Sequence, residues 1–351
     1  MSRRVLACIS LAAMMASATA MSASDNATTR PAAKPSAGAV SIQNTRRVDF
    51  VSKVNGHRYS LQVSLPFKPV PAKGFPVLYV LDGDFFFGSA TEIVRGHANA
   101  PGGVVVVGIG YPDDPAWVQD VIARRGPPAP SMDDEPRSRA AQDLERTYDM
   151  TLPASDAELA AQVLPGYPPA KSTNVGGLDD FLKTIETEVK PRVAALVKID
   201  PTNQVLFGDS HGGLAALHAL LVEPSAFRTF IIGSPTIWWN QKAVLAGESQ
   251  FAAAVTAGRA SPRVLVTMGA LESSRAMFPA SWKMDPTAID TYLHMSRMVE
   301  NARELVKWLK SIHGGPGYGV GDYVLFDRLG HAIAPWPALA WGVNFAFPIV
   351  P

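Results

Sequence analysis

An α/β fold is predicted for this 351-residue chain, with a mostly parallel central sheet, an antiparallel N-terminal hairpin and helices on both faces. Three observations predict it. Six short runs are apolar at successive positions and end at Gly, Pro or Asp, as strands buried on both faces of a parallel sheet do. Helical stretches separate several of these runs, which suits strand–helix–strand units. Two alternating runs meet at Asn55-Gly56, a strong short-range hairpin signal.

The hairpin comprises residues 46–54 and 58–65 and opens the ordered part of the chain. The buried runs are 75–81, 104–109, 205–207, 229–232, 263–268 and 323–326, and the helical stretches are 178–196, 213–221 and 296–313. One interval breaks the alternation. Residues 113–175 are rich in proline and carry Asp133-Asp134-Glu135 together with Arg124, Arg125, Arg137, Arg139 and Arg146. Loops of that length without structure of their own are uncommon unless functional. The interval is expected to be a lid or substrate-facing wall over the strand ends, with a solvated surface insertion as the alternative.

The first 40 residues belong to a different class. Arg3-Arg4 is a basic n-region, 5–16 an apolar h-region, and Ala18-Thr19-Ala20 an Ala-x-Ala cleavage site. These features predict a signal peptide over 1–20. Residues 21–40, dominated by Ala, Ser, Thr and Pro, then form a flexible linker, with one α/β domain over 41–351. The single cysteine, Cys8, falls inside the leader, so no disulfide is expected in the mature protein. No later stretch has the length of a membrane span. A periplasmic or secreted protein is the expectation.

Hydrophobic residues make up 47% of the chain and charged ones 18%, enough for a large core. Formal net charge is +1 from 32 basic and 31 acidic residues. Losing Arg3 and Arg4 leaves 30 against 31, or about −1. No basic patch suits a nucleic-acid partner. No His/Cys cluster, Ca²⁺ loop or phosphate-binding glycine loop predicts a metal or cofactor.

The chemistry centres on Gly208-Asp209-Ser210-His211-Gly212-Gly213. A Gly-x-Ser-x-Gly frame alone also fits an ordinary strand-to-helix turn. Here the run 205–207 precedes it and an amphipathic helix is expected to follow, the pattern of a nucleophile elbow. Ser210 is then the nucleophile, and it needs a base, an acid behind the base and two oxyanion donors. In the chain order Ser, acid, His, the base follows the last strand. His331 in Leu329-Gly330-His331 occupies that slot, whereas His313 sits at a helix end, and His97, His218 and His294 lack a motif. His57 follows a turn glycine and needs no special role. Glu272 lies just past the strand 263–268 and is the candidate acid, with Asp285 and Asp290 as rivals and a Ser–His dyad as a further option. The N–H groups of His211 and Asp84 are the candidate oxyanion donors, the latter in the turn Asp82-Gly83-Asp84. Trp238 and Trp239 are candidate substrate-binding residues; core packing is favoured for one, and an aromatic wall for the other. Arg146 is a candidate for pairing with an anionic substrate group, or with a carboxylate of the protein.

Taken in order, these segments resemble the esterase family of α/β-hydrolases, and most of all its periplasmic trilactone siderophore esterases. The likeness rests on 76–84, 106–112, 208–214, Ser234-Pro235-Thr236-Ile237-Trp238-Trp239, Gly269-Ala270-Leu271-Glu272 and Gly330-His331. It implies an α/β-hydrolase fold, a serine nucleophile at Ser210, a base at His331 and a third member at Glu272. Two departures border the pocket. Relatives commonly have His before the serine and an aromatic after it, where this chain has Asp209 and His211. After His331 comes Ala332-Ile333-Ala334-Pro335-Trp336, where relatives often have small residues. The expected function is an exported serine hydrolase of carboxylic esters, acting through an acyl-enzyme on Ser210, with siderophore-type lactones among the candidate substrates. The alternatives are an acyltransferase of the same fold and a non-catalytic binding protein.

Overall fold

The computed structural model describes residues 41–97, 103–127, 136–162, 170–278 and 284–348. The expected signal peptide and linker lie outside the described residues, as do Asp133, Asp134 and Glu135.

Strand β1 (Thr45–Val51) pairs antiparallel with β2 (Arg58–Ser64), and β2 pairs antiparallel with β4 (Val105–Gly110). The remaining pairings are parallel, through β3 (Phe75–Leu81), β5 (Ile199–Asp209), β6 (Thr229–Gly233), β7 (Arg263–Gly269), β8 (Gly319–Val320) and β9 (Val324–Phe326). The sheet order is β1-β2-β4-β3-β5-β6-β7-β8, with β9 also on β7. The expected runs match these strands closely, except that β5 begins six residues earlier, at Ile199. The last run, 323–326, forms β9, and a short strand that the sequence did not suggest, β8, precedes it; the two pair with different stretches of β7.

Alternation along the strands explains why both faces need cover. Val77, Tyr79 and Leu81 of β3 join one core, whereas Leu78 and Val80 join the other. The first core takes α5 (Leu178–Thr184), α6 (Lys190–Leu196), α7 (His211–Val222), α9 (Glu248–Thr256) and α11 (Met298–Ser311). The second is closed by α1 (Gly83–Gly96) and α12 (Pro335–Ala346). Between α5 and α6 the helix widens into one π turn, Ile185–Val189. Pro191 lies just beyond; it lacks an N–H, and its ring crowds the carbonyl four residues back.

One expectation is corrected. The elbow helix α7 is not amphipathic. Gly212 to Leu221 are all buried, because α7 packs on the sheet and is covered in turn by other elements. The interval 113–175 has secondary structure of its own. It holds α2 (Pro115–Arg125), α3 (Arg137–Asp149) and α4 (Asp156–Ala160). Asp114 caps α2 by accepting from Trp117 N–H, and Ser155 with Glu158 forms a capping box on α4. The short turn α8 (Trp239–Lys242) follows β6, and α10 (Pro286–Ser296) precedes α11.

Candidate active site

The carboxyl ends of β3, β5, β7 and β9 converge, and each carries a polar residue in the turn that follows. Ser210 sits between β5 and α7 at φ 61 and ψ −120, a backbone conformation that an L-residue adopts only under constraint. The glycines supply the constraint. A Cβ on Gly208 would stand 2.0 Å from the Gly212 carbonyl oxygen, and one on Gly213 would stand 2.3 Å from that of Gly233. The Ser210 N–H donates to the Gly233 carbonyl at 3.1 Å, which fixes the turn against β6.

Ser210 Oγ lies 2.9 Å from His331 Nε2. His331 Nδ1 lies 2.6 Å from Glu272 Oε2. Glu272 is fully buried, and its other oxygen accepts from Ser234 Oγ at 2.6 Å and from Gly269 N–H at 2.8 Å. Both oxygens of the carboxylate are therefore engaged, so the neutral imidazole keeps its proton on Nδ1, towards Glu272. Burial pulls the His331 pKa down, but the Glu272 hydrogen bond and charge more than offset it, and the imidazole stands at about 9. The rivals of Glu272 are engaged elsewhere. Asp285 caps α10 by accepting from Thr287 N–H, and Asp290 forms an exposed fork with Arg275.

The turn Asp82-Gly83-Asp84 starts α1. Asp82 is left-handed at φ 53, and its carbonyl accepts from Phe85 and Phe86 N–H. The Asp84 amide falls in the first helical turn, where no intrahelical acceptor exists. Its carboxylate accepts from Tyr111 N–H at 2.8 Å and Gln62 Nε2 at 3.4 Å, and burial raises its pKa to about 6. The His211 amide likewise opens α7. The two amides thus stand at the starts of the two helices that flank the sheet ends.

The residues beside Ser210 are unusual. Asp209 is buried with Oδ1 unpartnered among the described residues. Burial, helped by the charges of Glu272 and Asp82 and opposed by His331, raises its pKa to about 7. Burial, with the charges of Arg146 and His331, lowers the His211 pKa to about 3, so this ring is neutral. It meets Trp239 edge to face at 5.7 Å.

Both candidate tryptophans are buried. Trp238 is 4% exposed, donates to Met298 Sδ at 3.1 Å and packs on Tyr292, so it belongs to the core and has little face to offer a substrate. Trp239 is 5% exposed and donates to the Leu152 carbonyl at 3.1 Å, bridging the 113–175 interval to the elbow. Arg146 is paired within the protein: Nε meets Asp82 Oδ1 at 2.7 Å and Nη2 meets Oδ2 at 2.8 Å.

Sequence reasoning passed over one cluster. His57 Nδ1 lies 3.0 Å from Glu145 Oε1 and 3.3 Å from Asp149 Oδ1. Burial lowers the His57 pKa, but the two carboxylates outweigh it and raise it to about 9. Tyr59 and Tyr111 donate to Asp149 Oδ2, and Arg124 and Arg125 pair with Glu145. His57, Glu145 and Asp149 bring possible ligand atoms within 4.8 Å of one another. Here the guanidinium groups already supply the positive charge a metal would bring, and the tyrosines occupy the outer carboxylate oxygen. The chain shows the turn glycine before His57 but not partners about ninety residues away, so no local signal could have found the cluster.

Comparisons with known proteins bear on the family. The profile of the family described as "Putative esterase" matches residues 150–295. The chain is 32% identical over 269 residues to the ferri-bacillibactin esterase BesA of Bacillus subtilis, covering 75% of this chain and 76% of that protein. It is 30% identical over 275 residues to the siderophore triacetylfusarinine C esterase of Aspergillus fumigatus, covering 74% and 80%. The crystal structure of the BES protein of Bacillus cereus superposes with a TM-score of 0.68 at 28% identity, covering 89% of this chain and 98% of that one. With its α/β-hydrolase sheet and these relatives, the chain belongs to the esterase family and is related to siderophore esterases.

Proposed function

We propose that the protein is a serine hydrolase of carboxylic esters. The observation that supports this most directly is the unbroken hydrogen-bond path from Glu272 through His331 to Ser210 Oγ. In the forward step, His331 Nε2 takes the Ser210 hydroxyl proton as Oγ attacks the ester carbonyl. The N–H groups of His211 and Asp84 stabilise the oxyanion. The tetrahedral intermediate collapses, the imidazolium returns its proton to the leaving alcohol, and an acyl-enzyme remains on Ser210. A water molecule, deprotonated by the same imidazole, then releases the acid. Glu272 holds the ring and stabilises the imidazolium.

The named substrates of the relatives, ferri-bacillibactin and triacetylfusarinine C, make siderophore-type esters the first class to try. The apolar segment ahead of the Ala-x-Ala site supports an exported, periplasmic or secreted enzyme. Among the described residues no helix is long and apolar enough to cross a membrane.

A fluorophosphonate probe tests the nucleophile. Wild-type protein is expected to be labelled once, and Ser210→Ala to lose both labelling and ester hydrolysis by about 10⁶-fold. Equal labelling of the two proteins, or none of either, would overturn the reading. A panel of chromogenic esters alongside a siderophore lactone, with and without an added alcohol, then ranks substrates and separates hydrolysis from acyl transfer.

A further inference from the structure

Asp82 carries more contacts than a turn residue requires. It is 3% exposed, left-handed, and its carbonyl starts α1. Its carboxylate also reaches the start of α7, where a Cβ on Gly212 would come within 3.1 Å of Oδ2. One buried carboxylate therefore lies at the beginnings of both helices whose first-turn amides are the proposed oxyanion donors. Left unpaired, it would place negative charge beside a developing anion and would lose its fixed orientation.

The counter-charge comes from the 113–175 interval. Arg146, in the last turn of α3, grips both Asp82 oxygens in a planar fork. Its charge is also felt at Asp209, His211 and His331. Helix α3 is itself pinned one turn and one residue away. Glu145 pairs with Arg124, Arg125 and His57, and Asp149 accepts from Tyr59 and Tyr111.

We propose that Arg146 is a positioning residue for the hydrolytic reaction: by clamping Asp82 it fixes the turn that presents the Asp84 N–H and neutralises a carboxylate that would oppose the oxyanion. On this account α3 is a fixed wall of the oxyanion hole and not a cover that must close over it. The proposal rests on the serine-hydrolase reading above and adds a role for a residue that touches no reacting atom.

The test uses the full mature protein, a chromogenic ester and an alkyl boronic acid, which forms a tetrahedral anion on a catalytic serine. Arg146→Ala is expected to lower kcat by about 10- to 100-fold at nearly constant KM. Boronate affinity should fall by a similar factor. Added methylguanidinium should restore part of kcat without changing the melting temperature, a response that a purely structural arginine would not give. Arg146→Ala with Asp82→Asn should be no worse than Arg146→Ala alone, because the two residues act as one unit. Arg146→Lys, which keeps the charge but not the fork, should fall between wild type and Arg146→Ala, and it serves if the alanine variant does not fold. Unchanged kcat and boronate affinity, or losses that track the melting temperature without rescue, would overturn the proposal. Ser210→Ala assayed in parallel keeps the two ideas apart. Activity retained there removes the serine reading itself, whereas activity lost there beside an unaffected Arg146→Ala removes only the role of Arg146.

Discussion

Two histidines in this protein have almost the same immediate chemistry and are built for different ends. His331 gives Nδ1 to Glu272, and His57 gives Nδ1 to Glu145 and Asp149. Both imidazoles stand at about 9, in each case because nearby carboxylates outweigh burial. The difference lies on the other nitrogen. Nε2 of His331 faces Ser210 Oγ on a strained turn at the sheet ends, whereas Nε2 of His57 faces Arg125 Nη2 at 3.4 Å. A buried His–carboxylate pair is therefore no evidence of catalysis by itself. On the proposed mechanism one pair takes a proton from a serine, whereas the other closes a charge network that ties α2 and α3 to the β1–β2 hairpin.

Replacing the carboxylate in each cluster should break the symmetry most clearly. Glu272→Ala is expected to lower kcat by about 10⁴-fold while KM changes little, since the acid acts on the transition state through the imidazole. Steady-state kinetics on the best chromogenic ester checks it. An unchanged rate would leave a Ser–His dyad, because Asp285 and Asp290 are committed to other partners. Glu145→Gln should do the reverse. It leaves Arg124, Arg125 and His57 facing a neutral group, at a cost of about 3–5 kcal/mol in unfolding stability. Turnover of the folded protein should fall by less than about tenfold. Denaturant melts and kinetics on the same samples decide whether stability and rate separate in this way.

The smallest effect is in pH dependence. A base must be neutral to work, so kcat/KM should rise with pH from neutrality, with its midpoint near His331's value of about 9, and level off above it. In Glu272→Gln the two largest raising influences are gone, and burial with the Arg146 charge remains against the lesser effect of Asp209, so the limb should move to lower pH. His57 titrates in the same window but enters stability instead. Its folded pKa is raised, so its contribution is fully present below 6.5 and is lost as pH rises through about 9. His57→Gln should therefore flatten part of the fall in melting temperature over that window and leave the rate limb in place. A rate limb that moves with His57→Gln would break the comparison.

Much of this site is legible in the chain because its parts are local. Val205-Leu206-Phe207 followed by Gly208-Asp209-Ser210-His211-Gly212 is a strand, a turn with no room for side chains and a helix, each read within a few residues. Glu272 and His331 follow from chain order, since each lies just past its strand. Helix α3 resists such reading for a physical reason. Its buried face is Ala140, Ala141, Gln142, Glu145 and Asp149, so the helical period is carried largely by polar groups that are normally exposed. Those groups tolerate burial only because His57, Arg124, Arg125, Tyr59 and Tyr111 arrive from distant parts of the chain. The turn at Asp82 is visible as Asp-Gly-Asp, but the pairing of its carboxylate with Arg146, 64 residues away, is not, because no local pattern links the two.

The sequence by itself determined the parallel sheet, the elbow and the order of its three polar residues, because strand periodicity and steric exclusion act over short spans. Only the tertiary structure decided which carboxylate meets His331, that Trp238 belongs to the core, and that Arg146 serves Asp82. Those choices depend on buried charges finding partners across the chain, and desolvation makes each pairing nearly obligatory once the fold has closed.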